Sequence, residues 1–526
     1  MTELVSQIHL RWGRNITQYP KLYSSEAIAA NIKTPVDDTK RAELRETAMC
    51  TIQEICILVD PNINTHTYNN LVVRITLGKL EATLETARFE GELESFTLPS
   101  LIAGCIELMS TVKPSPFYYE YGYACFKLMN IALSICLVKH ICESDEFISI
   151  TREDNPNDTV SALWEVTAAV LEVELSGNTE KLWGVACFEA PKYWGMPLVD
   201  RSRLNQILAM LHSDQKNFTI ALMSAKSLGL SGLMYILQKF VEEKRVEMNE
   251  DEYQEQILKP YIHILYRYRL GMPDIYSELQ VMALISDSRP SDVSIVESPC
   301  NQPADLEDSR NIIKAYSNIP DHHGFLGIMD YSKLIVFVHP FVVQGCEDLI
   351  PDMFSASLEI SWRYISSPEP DQYMFMMVHS IFMTNCLNIL KKLQSSPADD
   401  QTWMAKLAES IITNDAVGLI LRAILVEKDL ESSYPESKGD ELHPTRLLAN
   451  SRVGAGHPSL KDLIAQAMAM LALLIEMIPK HHLIICLRNS DSLYDFKKYL
   501  IHFGYRAFYI QDAYTLTMRP TELAYI

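Results

Sequence analysis

The sequence predicts an all-α, multi-helical protein, and three observations carry that reading. Apolar residues recur every three or four positions along most of the 526 residues, which is the period of a one-sided helix. The breaks between these stretches are mostly short and polar and often hold a proline, as connections between helices do. Only two segments read as β, near residues 334–343 and 500–520, so strand content is minor at most.

The stretch from Lys40 to Val59 sets the pattern. Leu44, Ala48, Ile52, Ile55 and Val59 fall on one stripe, while Glu43, Arg45, Glu46, Gln53 and Glu54 take the remaining surface. Asp60-Pro61 ends it, because the residue before a proline is pushed out of the α region. The same reasoning predicts helices over 66–88, 98–113, 118–142, 159–176, 199–212, 215–228 and 230–245. Further helices are expected over 252–270, 273–286, 304–317, 349–364, 371–394, 402–426, 459–478 and 490–503. Pro99 and Pro273 stand near helix starts, where a missing N–H does no harm. Leu334–Val343 is β-branched and aromatic but is interrupted by Pro340, so it reads as a short strand or a short buried helix. The tail from Leu500, with Tyr505, Phe508, Tyr509 and Tyr514, is equally two-sided.

A chain of this length exceeds what one hydrophobic core organises, roughly 250–300 residues. Two lobes or an irregular helical stack are therefore expected. The division falls into an N-terminal helical lobe over 1–286, an acidic linker or loop over 287–310 with Pro290, Pro299 and Pro303, and a C-terminal helical lobe over 311–526. The second lobe carries a long polar loop over 428–458, rich in serine, glycine and proline. Leu-Met pairs at 108–109, 128–129, 222–223 and 233–234 recur at unequal spacings, so no repeat period follows. A degenerate solenoid, similar in architecture to HEAT or armadillo stacks, is compatible with the pattern.

Charge and cysteine usage narrow the class. With 67 Asp+Glu against 46 Lys+Arg, the net charge of −21 repels phosphate backbones, so nucleic acid is not an expected partner. The densest basic clusters, Arg267-Tyr268-Arg269, Lys391-Lys392 and Lys497-Lys498, read as solvated helix faces. None of the 11 cysteines forms a CxxC pair, and Cys56, Cys105, Cys125, Cys136, Cys386 and Cys486 sit in apolar helical stretches. That pattern fits free thiols in a reducing compartment, which points to the cytoplasm and leaves the nucleus open. Met1–Trp12 has no apolar core of secretory length. Ala124–Val138 and Leu463–Ile475 are too short or too interrupted for a membrane span and read as buried core helices.

The search for chemistry returns no site. Asp37-Asp38 and Asp399-Asp400 lack the further carboxylate that would complete a magnesium-binding DDxxD, and they read as helix N-terminal charges. Asn414-Asp415 lacks the downstream groups of a second metal motif. Glu-x-x-His, HExxH and His-Asp are absent. Cys136, His140 and Cys142 are spaced wrongly for one helix face and read as core packing. His322-His323 and His481-His482 read as loop residues, and Gly454-Ala455-Gly456-His457 as loop without the strand a dinucleotide site needs. Gly229-Leu230-Ser231-Gly232 is one residue short of a nucleophile elbow. No catalytic, cofactor-binding or metal residue is therefore assigned, and no cofactor is expected.

The 25 tyrosines and 22 methionines suit both cores and interfaces. A carboxylate-capturing domain could take the apolar C-terminus Leu523-Ala524-Tyr525-Ile526. The expectation is thus a non-enzymatic intracellular interaction or scaffold protein whose partner is a protein, with basic or amphipathic segments suiting an acidic groove. The alternative is a helical enzyme without a local motif, which an enclosed polar cavity with shifted pKa values would reveal.

Overall fold

The computed structural model describes residues 8–24, 37–89, 91–141, 159–176, 198–225, 228–273, 275–287, 303–319, 328–366, 372–394 and 402–416, with a few isolated positions besides. Helix accounts for 81% of the described residues, in sixteen helices and no strand. Two compact units, Met1–Ile295 and Val296–Ile526, divide the chain.

Unit 1 opens with α1 (Asp38–Ile57), α2 (Thr65–Arg74) and α3 (Leu77–Thr86). Each starts on a side-chain cap: Asp37, Asn64 and Thr76 accept the backbone N–H of Lys40, Thr67 and Lys79. Such a cap stabilises a helix by about 1 kcal/mol. The single helix expected over 66–88 is two, because extended Ile75 and the Thr76 cap break it. Buried Ile75 is held there by the Tyr121 hydroxyl, which donates to its carbonyl at 3.0 Å.

Next come α4 (Pro99–Thr111) and α5 (Glu120–Ile141), packed on each other. α5 is the axis of the unit. One window in it, Glu120–Lys139, is long and apolar enough to cross a membrane, and 94% of it is buried within the protein. Asn130, buried inside that stretch, donates to the Phe126 carbonyl at 2.8 Å and so leaves no amide hydrogen bond wanting there.

α6 (Thr159–Leu175), α7 (Arg201–Ser213), α8 (Gln215–Ala225) and α9 (Ser231–Glu247) follow. The helix expected over 252–270 is interrupted. One turn over Glu250–Tyr253 passes into a π-turn over Gln254–Leu258 before α10 (Lys259–Gly271) begins. Pro260 explains the irregularity, since it has no N–H for the regular ladder. α11 (Tyr276–Asp287) closes the unit and packs on α6.

Unit 2 contains α12 (Leu306–Ser317), α13 (Ile328–Val338), α14 (Ile350–Ile365), α15 (Gln372–Gln394) and α16 (Thr402–Thr413). The segment 334–343 is no strand: α13 runs through Val338 and a 3-10 turn follows over His339–Phe341. Leu334 to Val338 are all buried, so this helix lacks the polar face that would have disclosed its period. Pro340 lies in the first turn of the 3-10 segment, where no N–H is required. The helix expected over 402–426 is broken after Thr413, where Asp415 takes a φ of 46°, and the described residues Ala416 and Leu419 beyond it are again helical. The expected loop at 428–458, the helix at 490–503 and the 500–520 tail lie outside the described residues, and of the helix expected over 459–478 Gln466, Ala469 and Leu473 are described, all three helical.

Candidate functional site

Residues 8–15, Ile-His-Leu-Arg-Trp-Gly-Arg-Asn, fold into a tight turn on the surface of unit 1. His9 and Gly13 exchange two backbone hydrogen bonds of 2.9 and 2.8 Å. His9 Nδ1 accepts the backbone N–H groups of Arg11 and Trp12 at 3.3 and 3.1 Å, which places the proton of the neutral ring on Nε2. Gly13 has φ +78°, and a Cβ there would stand 2.4 Å from Leu77 Cδ2 and 3.1 Å from Glu120 Oε2. Both conditions require glycine.

Three backbone bonds fasten the turn to the start of α5: Ile16 N–H to Tyr118 O, Glu120 N–H to Arg14 O, and Tyr121 N–H to Trp12 O. Buried Glu120 then accepts from Arg14 at 3.1 Å and from the Tyr23 hydroxyl at 3.3 Å. Burial, followed by the charge of Glu120, pushes the Tyr23 phenol well above its ordinary pKa. Tyr19, fully buried, donates to Phe117 O at 2.8 Å. Arg11 Nη2 reaches Val72 O at 3.3 Å and so sets the turn beside the end of α2.

This frame points large apolar groups outward. Ile8 is 60% exposed, Leu10 is fully exposed, and Val73 on α2 is 65% exposed. Beneath them His9 stacks on Trp12 with ring centroids 4.5 Å apart, and Tyr119 lies 5.4 Å from Trp12. The Arg11 guanidinium stands 5.8 Å from the Trp12 ring. Trp12 Nε1 and Arg11 Nε are shielded donors with no acceptor among the described residues. Tryptophan, tyrosine and arginine beside an exposed aliphatic group are the residue types that dominate binding energy at protein interfaces.

A second polar cluster lies inside the unit, across α7 to α11. Glu278 on α11 accepts the backbone N–H of Leu230 at 2.9 Å and of Ser231 at 2.7 Å, together with the Tyr268 hydroxyl. The cap residue of α9 is Leu230, which has no side-chain acceptor, so Glu278 serves as its cap from another helix. Glu278 Oε2 finds no partner among the described residues. Burial raises the pKa of this carboxyl against the opposing hydrogen bonds, and burial and Glu278 together raise that of Tyr268. Arg267 donates to Thr219 Oγ1 and Arg269 to Ser286 Oγ, each at 2.8 Å. His212 packs edge-on to His263 at 5.6 Å, and burial followed by the nearby Arg267 lowers its pKa. Each of these bonds joins one helix or its cap to another, which makes the cluster a brace of the fold.

Arg267 and Arg269, expected on a solvated face, are 0% exposed. Every residue of α10 from Tyr261 to Leu270 is buried, so the helix has no solvent face to offer them. Lys391 and Lys392 do lie exposed at the end of α15, whereas Lys497 and Lys498 fall outside the described residues. Asp37 caps α1 and Asp38 stands in its first turn, the role read from their position. Asn414, far from any metal arrangement, donates to Ser355 Oγ at 2.9 Å and accepts from Trp362 Nε1 at 2.8 Å. Cys136 is buried. The His140 side chain, Cys142, both histidine pairs, Asp399-Asp400, Gly454–His457 and the C-terminal four residues lie outside what is described. Among the described residues no three His, Cys, Asp or Glu side chains come together as a metal site.

Sequence reasoning missed Leu10, Arg11, Trp12 and Val73 altogether. The signal was present in the run His9-Leu10-Arg11-Trp12-Gly13, two aromatic rings and an arginine around an aliphatic residue and closed by glycine. No family model matches the chain, and neither a curated protein nor a solved structure matches it.

Proposed function

We propose that this chain is a non-enzymatic helical interaction protein of a reducing intracellular compartment, and that the turn over residues 8–15 is its docking surface. One observation carries the reading: Leu10 stands fully exposed at the tip of a turn that backbone hydrogen bonds already hold in place. Leaving leucine in water gives the monomer no hydrophobic stabilisation, whereas covering it on a partner recovers about 2 kcal/mol. A pre-ordered turn also loses less entropy on binding than a free loop. The surrounding Ile8, Val73, Trp12 and Tyr119 enlarge the surface that could be covered. The described cysteines are free thiols, with Cys105, Cys125, Cys136, Cys346 and Cys386 buried, in keeping with a reducing compartment.

The test is affinity purification of the tagged full chain and of its Leu10→Asp variant from native cells, with mass spectrometry of proteins and small molecules. A stoichiometric protein retained by the wild type and lost from the variant is expected. Identical protein partners in both samples would remove the turn from the account. A retained metabolite with no protein would overturn the interaction reading itself.

A further inference from the structure

The charge around the turn runs against the sign of the whole chain. In a protein with 67 acidic residues among 526, neither residues 8–24 nor residues 61–80 contain an aspartate or a glutamate. These two stretches supply Ile8, Leu10, Arg11 and Val73, and the second also supplies Arg74. The loop over 112–119 that supports the turn has no acid either and carries Lys113.

The ion pairs point the same way. Arg74 is more than half exposed, while its counterion Glu54, 2.6 Å away, is buried and is shared with Lys79 at 2.8 Å. Arg14 is 40% exposed over buried Glu120, and Glu81 stands near enough to interact with both. Arg11 donates to a carbonyl and lies near the Trp12 ring, and among the described residues no carboxylate pairs with it. The carboxylates thus sit inward and the guanidinium groups outward. The unsatisfied polar atoms of the turn, Arg11 Nε and Trp12 Nε1, are both donors. In sequence, the stretches that build this surface carry basic and no acidic side chains.

Resting on the docking reading above, we infer that the turn takes an acidic, aliphatic segment of a partner protein. The partner's aliphatic side chains cover Leu10, Ile8 and Val73, and its carboxylates face Arg11 and Arg74. Carboxylates accept the two-pronged hydrogen bonds that guanidinium groups offer. The net −21 of the whole molecule acts on such a segment as long-range repulsion, so added salt weakens the local attraction and the distant repulsion together. An anionic lipid surface, far more extended than a peptide, meets that repulsion over the whole molecule, which favours the peptide.

The experiment selects binders to the purified full chain from a displayed library of random peptides, with counter-selection on Leu10→Asp. Enriched peptides should be net negative, with aliphatic or aromatic residues spaced among the acids. Arg11→Glu should weaken a selected peptide by about tenfold or more, as reversal of a charged anchor does. Arg11→Gln should weaken it less. Circular dichroism on the same samples checks that the variants fold. Enrichment of neutral or basic peptides that still need Leu10 would overturn the acidic partner and leave the docking surface standing. Failure to enrich anything that distinguishes wild type from Leu10→Asp would overturn both. Leu10-dependent flotation with phosphatidylserine vesicles would also overturn both, whereas Leu10-dependent self-association in sedimentation would overturn the acidic partner alone.

Discussion

Glu278 and Leu10 lie in the same unit and break opposite rules of protein construction. Glu278 is a carboxyl group in the interior, where charge is costly. Leu10 is an aliphatic side chain in water, where it gains nothing. The interior exception is held by its neighbours: two backbone N–H groups and a phenol converge on Glu278 Oε1. At the turn the backbone is held firmly, by bonds from His9, Gly13, Trp12 and Arg14, while the Leu10 side chain is not held at all. A polar group whose partners are all internal serves the fold. An apolar group on a fixed backbone with no internal partner is available to something else.

The contrast predicts its largest effect inside. Glu278→Ala removes the acceptor shared by Leu230, Ser231 and Tyr268 and leaves a cavity among α9, α10 and α11. Unpaired buried donors and lost packing together should cost about 3 kcal/mol, measured as a shift in the urea midpoint. A variant within half a kcal/mol of wild type would show that Glu278 is no brace.

Gly13→Ala comes next. The positive φ strains any L side chain here, and a methyl group would also push the Leu77 side-chain tip aside. A penalty of about 1–3 kcal/mol is expected. Because the turn is peripheral, the loss should show first as faster hydrogen exchange at the amides of Ile16, Glu120 and Tyr121 rather than as global unfolding. Unchanged exchange there would mean that the backbone bonds do not hold the turn.

A smaller effect concerns pH. Burial raises the folded pKa of Glu278 above its ordinary 4.5. Between those two values the native state keeps a proton that the unfolded chain has released, so stability falls as pH rises through that window. Glutamine keeps the accepting oxygen and does not titrate. The stability of Glu278→Gln relative to wild type should therefore rise as pH increases above the carboxyl's ordinary 4.5 and level off above the raised folded pKa. A flat difference across the window would place the carboxyl's pKa back in its usual range.

How much of this could be read in the sequence follows from what sequence patterns encode. The helical class was legible because α1 repeats its apolar residues at helical spacing, because the α5 stretch is a long apolar run read as a buried core helix, and because Asp37-Asp38 read as helix N-terminal charges. The break at Thr76 was not, since a threonine amid apolar periodicity reads equally as a helix-interior residue. α13 resembled a strand because a helix buried on every side has no polar period. Arg267 and Arg269 misled for the related reason that charge on α10 marks internal bonding, which depends on Thr219 and Ser286 far away in sequence. The candidate site was hidden because Leu10 and Val73 are 63 positions apart, and it is the fold, through contacts such as the bond from Arg11 to Val72, that brings their segments together.

The smallest effect is the sharpest test of the comparison. Leu10 has no cover to lose, so Leu10→Asp should change the stability of the free protein by less than about 0.5 kcal/mol, the range of ordinary surface substitutions. Aspartate would also stand beside Arg11 and accept its guanidinium, which adds at most a fraction of a kcal/mol in water. The measurement is the urea midpoint of the free variant, taken alongside the Glu278 variants so that one scale serves all. A loss of 2 kcal/mol would mean that Leu10 is covered in the free protein, and the turn would then belong with Glu278 among the groups that serve folding. A neutral result combined with loss of the partner separates the two regions: the interior cluster carries stability, and the turn carries recognition.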